Sequence, residues 1–373
     1  MSFFDEKQPA AILKHAIINQ YIDPFVGKTG RYSLDNRVAV IDGYAGEGRY
    51  DSGDEASPAL LIRKAHELRR INRTLESYFV ESDPKPRAKL QQVIANEGQG
   101  LPVQLFAGSI EDHLENLLTL VKGIPLLAFL DPFGLMIPFE TTANIFAQRP
   151  IQPPATELLI NFNASGLRRM AGLLTSTKEN RGRESSLARM DASCGGSWWQ
   201  QVWLDHGDDR DAAEEAVVAG YAERLADSQR CGWWTTPVRN RASHKPVYHL
   251  VFLTRHADGF SEFGEALSRG LSRWREALHK DENADTLFGD EAAFKLSEQA
   301  LAEGWVNEIE RNLRRLLAEG KPFKIYSRYA EVYGGVAGQA RETHLRAAWK
   351  RLYPDVTKTD SKGDLIKKVI EPA

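Results

Sequence analysis

The chain has 373 residues, 42% hydrophobic and 27% charged, with a formal net charge of −3. That length holds one large domain with additions or two to three smaller ones, and the composition is that of a folded, soluble chain with no global basic field for nucleic acid. No apolar stretch approaches the roughly 18–20 residues that cross a bilayer, so no membrane role is expected. The first residues lack a basic and then apolar leader. Cys194 and Cys231 alone exclude a disulfide framework or an all-cysteine metal site within the chain, and the cytoplasm is the expected compartment.

Residues 8–26 carry apolar positions at helical spacing, which predicts a helix before the first strand. Val38, Val40 and Ile41 then form a β-branched run that reaches Asp42 and a glycine-rich turn at Gly43, Gly46 and Gly48. Three further apolar runs, 78–83, 103–109 and 126–131, each end in a polar or acidic residue. Helical patterns separate them. Ser57-Pro58 reads as an N-cap and first-turn proline for a helix to about Arg70, and Asp83-Pro84 repeats the device for one to about Asn96. Ser109-Ile110-Glu111-Asp112 resembles a capping box for a helix to about Leu120, and Pro138 opens the helix after the fourth strand. Thr156–Phe162 is the fifth strand. Strands alternating with helices describe a doubly wound α/β sheet, whose ligands sit at the strand carboxyl ends near the switch in strand order.

The alternation breaks at 163–245, which holds an Arg-rich stretch, Trp198, Trp199 and Trp203, and a helix near 214–225. This is too long for a simple connection and reads as an insertion over the active edge. A strand at 247–253 and a helix at about 260–280 return, so the expected organisation is a core of 1–162 and 246–282, the insertion, and a C-terminal helical module at 283–373. A winged helix-turn-helix is one arrangement for that module. Its last part, 321–373, carries 11 Lys/Arg against 6 Asp/Glu, and Arg168, Arg169, Arg181 and Arg183 lie close in sequence, so both stretches are candidate phosphate contacts. Solvated helix faces are the alternative for each.

The glycines at 43, 46 and 48 do not fit the spacing of a dinucleotide-binding loop. An acidic residue on the second strand, Glu81 or Asp83, suits two ribose hydroxyls, and Gly108-Ser109 suits the border of an adenine. The first three strand ends thus fit an adenosyl ligand with no pyrophosphate to cradle. At Asp131-Pro132-Phe133-Gly134 a carboxylate and carbonyls at a strand end can accept from an exocyclic amine while an aromatic ring stacks on the base. A simple turn is the alternative. A Mg²⁺-dependent nuclease using Asp42, Glu81 and Asp131 is a further alternative, which the glycine loop disfavours.

The strings Leu13-Lys14-His15, Asp42-Gly43-Tyr44-Ala45-Gly46-Glu47-Gly48-Arg49-Tyr50, Ser57-Pro58, Phe79-Val80-Glu81, Phe129 to Gly134 and Thr156–Phe162 resemble the three-Cys-motif partner family. These are bacterial and phage-associated proteins with a class I methyltransferase-like core. The same strings are similar to the 23S ribosomal RNA adenine-N6 methyltransferases of the J type. The resemblance covers roughly residues 10–165, and 195–280 more loosely. It implies S-adenosylmethionine as cofactor, approached by Lys14 and His15. Asp42, Gly43, Tyr44, Ala45, Gly46 and Gly48 would line its methionine end, Glu81 would hold its ribose, and Asp131 would lie beside the transferred methyl. It also implies methylation of nucleic acid, DNA or RNA, and a separate iron–sulfur-like protein with a three-cysteine motif as partner. The sequence departs from adenine-N6 enzymes in carrying Phe133 and Gly134 where a second proline and a stacking aromatic stand. A non-catalytic partner subunit is therefore the expectation set against a methyltransferase.

Overall fold

A computed structural model describes residues 9–132, 134, 137–176, 182–282 and 291–373. Phe133 and Arg181, both marked above, lie outside the described residues. The described chain falls into two compact units, 9–11 with 22–256, and 12–21 with 257–373.

The first unit opens on part of helix α1 (Pro9–Thr29) and continues with β1 (Arg37–Asp42), α2 (Ser57–Arg69), β2 (Thr74–Glu81), α3 (Pro84–Glu97), β3 (Val103–Ala107), α4 (Ile110–Leu120), β4 (Leu126–Leu130), α5 (Phe139–Ala147) and β5 (Thr156–Phe162). Helices α6 (Ala164–Leu174), α7 (Arg183–Cys194), α8 (Trp198–Asp205) and α9 (Arg210–Gln229) follow, then β6 (Gly232–Val238) and β7 (Tyr248–Thr254). The strands form one seven-stranded sheet in the order β3-β2-β1-β4-β5-β7-β6. The first five are parallel, and β7 runs antiparallel to both β5 and β6. A parallel sheet that winds outward from β1 to β3, returns to β4 and closes on an antiparallel strand is the class I methyltransferase-like fold. Its crevice lies between the ends of β1 and β4.

The hydrophobic pattern dictates this arrangement. Strands β4 and β5 are buried at every residue, and β1 at all but its first, as strands covered on both faces must be. One face packs Ala39, Ile41, Tyr78, Val80, Ala128, Leu130, Leu158 and Ile160 against helices of the α4–α9 series. Helix α4 shows the logic: Ile110, Leu114, Leu117 and Leu118 recur at helical spacing and are buried, while Glu111, Asp112 and Glu115 between them are exposed. Its start is the expected capping box, with Ser109 and Asp112 bonding reciprocally.

Two local expectations are corrected. Ser57 does not cap α2; Ala56 holds that position, and the Ser57 hydroxyl turns to a buried carboxylate instead. Within the stretch read as an insertion, Gly232–Val238 is a sheet strand. Trp199 and Trp203 are core residues, as their spacing favours. Trp198 is partly buried, with Arg224 over its ring.

The second unit holds α10 (Ala257–Glu282), α11 (Glu291–Leu317), β8 (Phe323–Lys324), α12 (Tyr329–Tyr333), α13 (Glu342–Lys350) and β9 (Val369–Ile370), with β8 and β9 paired antiparallel. Its core joins Ile309, Leu313 and Leu316 of α11 to Leu345, Ala348 and Trp349 of α13. Helix α10, placed with the sheet by its sequence position, groups here. Gly270 sits so tightly on α1 that a Cβ would come 2.8 Å from Ile17 Cγ1, and Phe263 meets Tyr21 edge-on.

Candidate functional site

Strand register assembles the site. Asp42 lies opposite Phe79 of β2 and Phe129 of β4, so Glu81 and Asp131, each two residues on, share its face of the sheet. Leu130 opposite Ile160 puts Asn161 beside Asp131, and Asn161 opposite Leu250 puts Tyr248 on that face as well. Five strands thus present polar side chains along one edge, at the switch point.

The β1–β2 half is tied by backbone. Asp42 is fully buried; its Oδ2 accepts from Ser57 Oγ at 2.6 Å and its Oδ1 from the Tyr44 N–H at 3.2 Å. Glu81 accepts from the Gly46 N–H through Oε2 and from the Asp83 N–H through Oε1, both at 2.8 Å. The Ala45 N–H donates to the Val80 carbonyl, and the Gly43 N–H to that of Phe129. The glycines have separate reasons. A side chain at Gly43 would strike Leu130 at 2.7 Å, whereas Gly46 turns at φ +67° with nothing within 4 Å of its would-be Cβ. The loop is closed beneath and open above. Outside it, Arg49 forks onto Glu97, and Lys89 reaches Glu47 and Asp51. Burial, then the charge of Glu111, pushes the Tyr44 hydroxyl well above its ordinary value.

At β3, Gly108 takes φ +134° and donates its N–H to the Glu81 carbonyl at 3.3 Å. Ser109 and Asp112 are engaged in capping α4, and the Ser109 hydroxyl and N–H hold the Asp112 carboxyl below its usual range. Asp83 caps α3 through the Lys85 N–H at 2.9 Å.

The β4–β5 half is held by side-chain amides. Asn161 Nδ2 donates to Asp131 Oδ1, and Asn163 Nδ2 to the Gly134 carbonyl, so the end of β5 holds both Asp131 and Gly134. Asn163 is fixed in turn by the Gly166 N–H and the Ser165 hydroxyl, both at 2.8 Å. Asp131 and Asn161 are each 8% exposed. Tyr248 donates its hydroxyl to the Ala10 carbonyl at 2.7 Å; burial and the nearby Asp131 carboxylate hold it well above its usual pKa. Neither asparagine was singled out by sequence. An amide inside the otherwise apolar run Leu158-Leu159-Ile160-Asn161-Phe162 was the signal available.

The other expected residues lie on helices. Lys14 and His15 fall in stretch 12–21 of α1, which groups with the second unit; His15 is buried. Arg168 is turned inward, pairing with buried Glu214 and donating to the Pro246 carbonyl at 2.8 Å. His249 Nε2 meets the same carboxylate at 2.9 Å. Burial opposes the charge on Glu214, yet these two partners hold its carboxyl below the usual range. Arg183 donates to the carbonyls of Leu174 and Ser176 past the end of α6. Arg169 alone of the described three is exposed with no contact of this kind among the described residues. Much of the C-terminal basic excess is paired too: Arg328 with Glu319 and Glu331, Arg346 with Glu342, Arg351 with Glu303 and Glu310, Lys367 with Asp258, and Lys368 with Asp360. Among the described residues no group of three or more His, Cys, Asp or Glu is arranged to hold a metal.

No protein-family model and no curated protein sequence matches the chain. Solved structures do. The small RNA methyltransferase HEN1 is similar at 12% identity over 64% of this chain and 26% of that one, with a TM-score of 0.34. An O-methyltransferase from Bacillus cereus in complex with SAH is similar at 12% identity over 64% and 80% of the two chains, TM-score 0.33. An rRNA methylase from Streptococcus thermophilus is similar at 12% identity over 63% and 96%, TM-score 0.30. Likenesses this remote carry no substrate across, and the fold stands on its own sheet order.

Proposed function

We propose that the first unit is an S-adenosylmethionine-dependent methyltransferase acting on an exocyclic amine of a nucleic-acid base. The observation that carries the reading is the row of strand ends on one face: a closed glycine loop tied to Glu81, with Asp131 across the switch point. The residues fit the cofactor. The space above Gly46 is open, and Asp42 and Glu81 are oriented by backbone N–H groups, which suits polar ends of an adenosyl ligand. Asp42, Tyr44, Gly46 and Gly48 would hold its methionine end, and Glu81 its ribose; Gly108 and Ser109 would border its adenine. Bound there, the cofactor supplies an electrophilic methyl group. Asp131 then orients the incoming nitrogen by accepting its N–H. Positioning of this kind needs no strong base.

The test is calorimetric titration of the full chain with S-adenosylmethionine, with Glu81→Ala as control, followed by labelled methyl transfer to DNA and RNA pools. Micromolar binding that weakens by about 30-fold in the variant is expected from losing charge-assisted hydrogen bonds. Equal affinity in both proteins removes Glu81 from the site. A second reading rests on Gly134, which stands at φ +101° where adenine-N6 enzymes carry a stacking ring. It makes the chain a non-catalytic subunit beside a three-cysteine iron–sulfur protein. Absence of cofactor binding by the folded chain selects it.

A further inference from the structure

Among the described residues, the carbonyl of Asn161 beside Asp131 is a buried polar group at this edge that the chain leaves unsatisfied. Its Oδ1 is buried and has no hydrogen-bond partner among the described residues. The orientation of the amide follows from chemistry. A carboxylate only accepts, so the NH₂ of Asn161 must face Asp131, and the carbonyl is thereby turned away from it. An acceptor buried without a partner is costly, and few native groups are left so. Asn163, two residues along the same strand end, has its carbonyl satisfied twice over. Of the two asparagines, the one left with an orphan is the one beside Asp131.

We infer that Asn161 is a specificity-determining residue whose carbonyl accepts one N–H of the substrate amine while Asp131 accepts the other. This rests on the methyltransferase reading above and narrows it to a primary amino group. The ends of two adjacent parallel strands lie about 4.8 Å apart, so two acceptors stand side by side at β4 and β5. A primary amine brings two N–H donors to them. A hydroxyl or a ring N–H brings one, and leaves the Asn161 carbonyl still unsatisfied. Asn161 thus has two tasks: its NH₂ fixes the Asp131 carboxylate, and its carbonyl counts the hydrogens on the nucleophile.

The test separates the counting from the fixing. The protein, with S-adenosylhomocysteine present, is titrated with short single-stranded adenine and cytosine oligomers bearing either amino or monomethylamino groups, the second keeping one N–H for Asp131 and none for Asn161. Wild type is expected to bind the amino form at least about tenfold more tightly, the worth of one buried hydrogen bond. Asn161→Leu is expected to bring that ratio close to one, and Asn161→Gln, which keeps an acceptor, to restore part of it. Thermal melting checks that both variants are folded. A ratio unchanged in folded Asn161→Leu, as an ordered water on the carbonyl would give, overturns the assignment. No preference in wild type overturns it as well. Failure of the underlying reading looks different: no cofactor binding and no labelled methyl transfer by wild type on any oligomer.

Discussion

The two halves of the sheet edge are built by opposite means. At β1–β2 the carboxylates of Asp42 and Glu81 are oriented largely by main-chain N–H groups of their own loop. At β4–β5 the carboxylate of Asp131 is oriented by a side chain from the neighbouring strand. Main-chain tethers make a cradle whose shape survives most substitutions nearby. A side-chain tether makes a site that one substitution can retune. The first arrangement suits an invariant ligand, and the second a substrate that must be discriminated.

The sharpest way to break this contrast is Asp131→Ala. Labelled methyl transfer should fall by about a thousandfold, as when a group aimed at the reacting atoms is removed, while cofactor affinity stays within about twofold. Parallel loss of both would merge the two halves into one site. Next in size is Glu214→Gln. It leaves Arg168 and His249 facing an uncharged amide and should cost about 3 kcal/mol in denaturant unfolding. The pH dependence has a definite sign. The Glu214 carboxyl lies lower in the folded chain than in the unfolded one, so its contribution is complete above the ordinary carboxylate pKa of about 4.3 and is lost as pH falls below it. Unfolding of wild type and variant should therefore converge on acidification. A gap that stayed constant with pH would remove the charge from the account. The smallest effect is expected at Arg169. Arg169→Ala should leave stability unchanged and reduce the slope of log affinity for DNA or RNA against log salt by about 0.9. Arg168→Ala should instead lower the melting temperature.

What the sequence discloses follows the same division. Strand ends on β1, β2 and β4 are legible because apolar runs stop abruptly at Asp42, Glu81 and Asp131, and caps such as Asp83 and Ser109 are short-range signals. Pairings between distant residues are not. Arg168 reads as a surface cation until its partner, 46 positions away on α9, is in place. Asn161 and Asn163 acquire meaning only once β5 lies beside the Asp131 turn. Strand β6 is hidden because Gly232 and Pro237 at its ends look like loop residues, and its tertiary neighbour β7 overrides them. Helix α10 follows the same rule: the flat surface of Gly270 against Ile17 decides its grouping, and a lone glycine in a helical pattern does not announce a packing partner.

The shared carboxylate of Glu81 has a kinetic consequence. The amides of Gly46 and Asp83 end on its two oxygens, one from the glycine loop and one from the turn into α3. Rotating that one side chain away releases both. The two amides should exchange with solvent deuterium at matched rates, reporting a single opening of loop and turn together. A ligand hydroxyl that pins the carboxylate slows both clocks by the same factor.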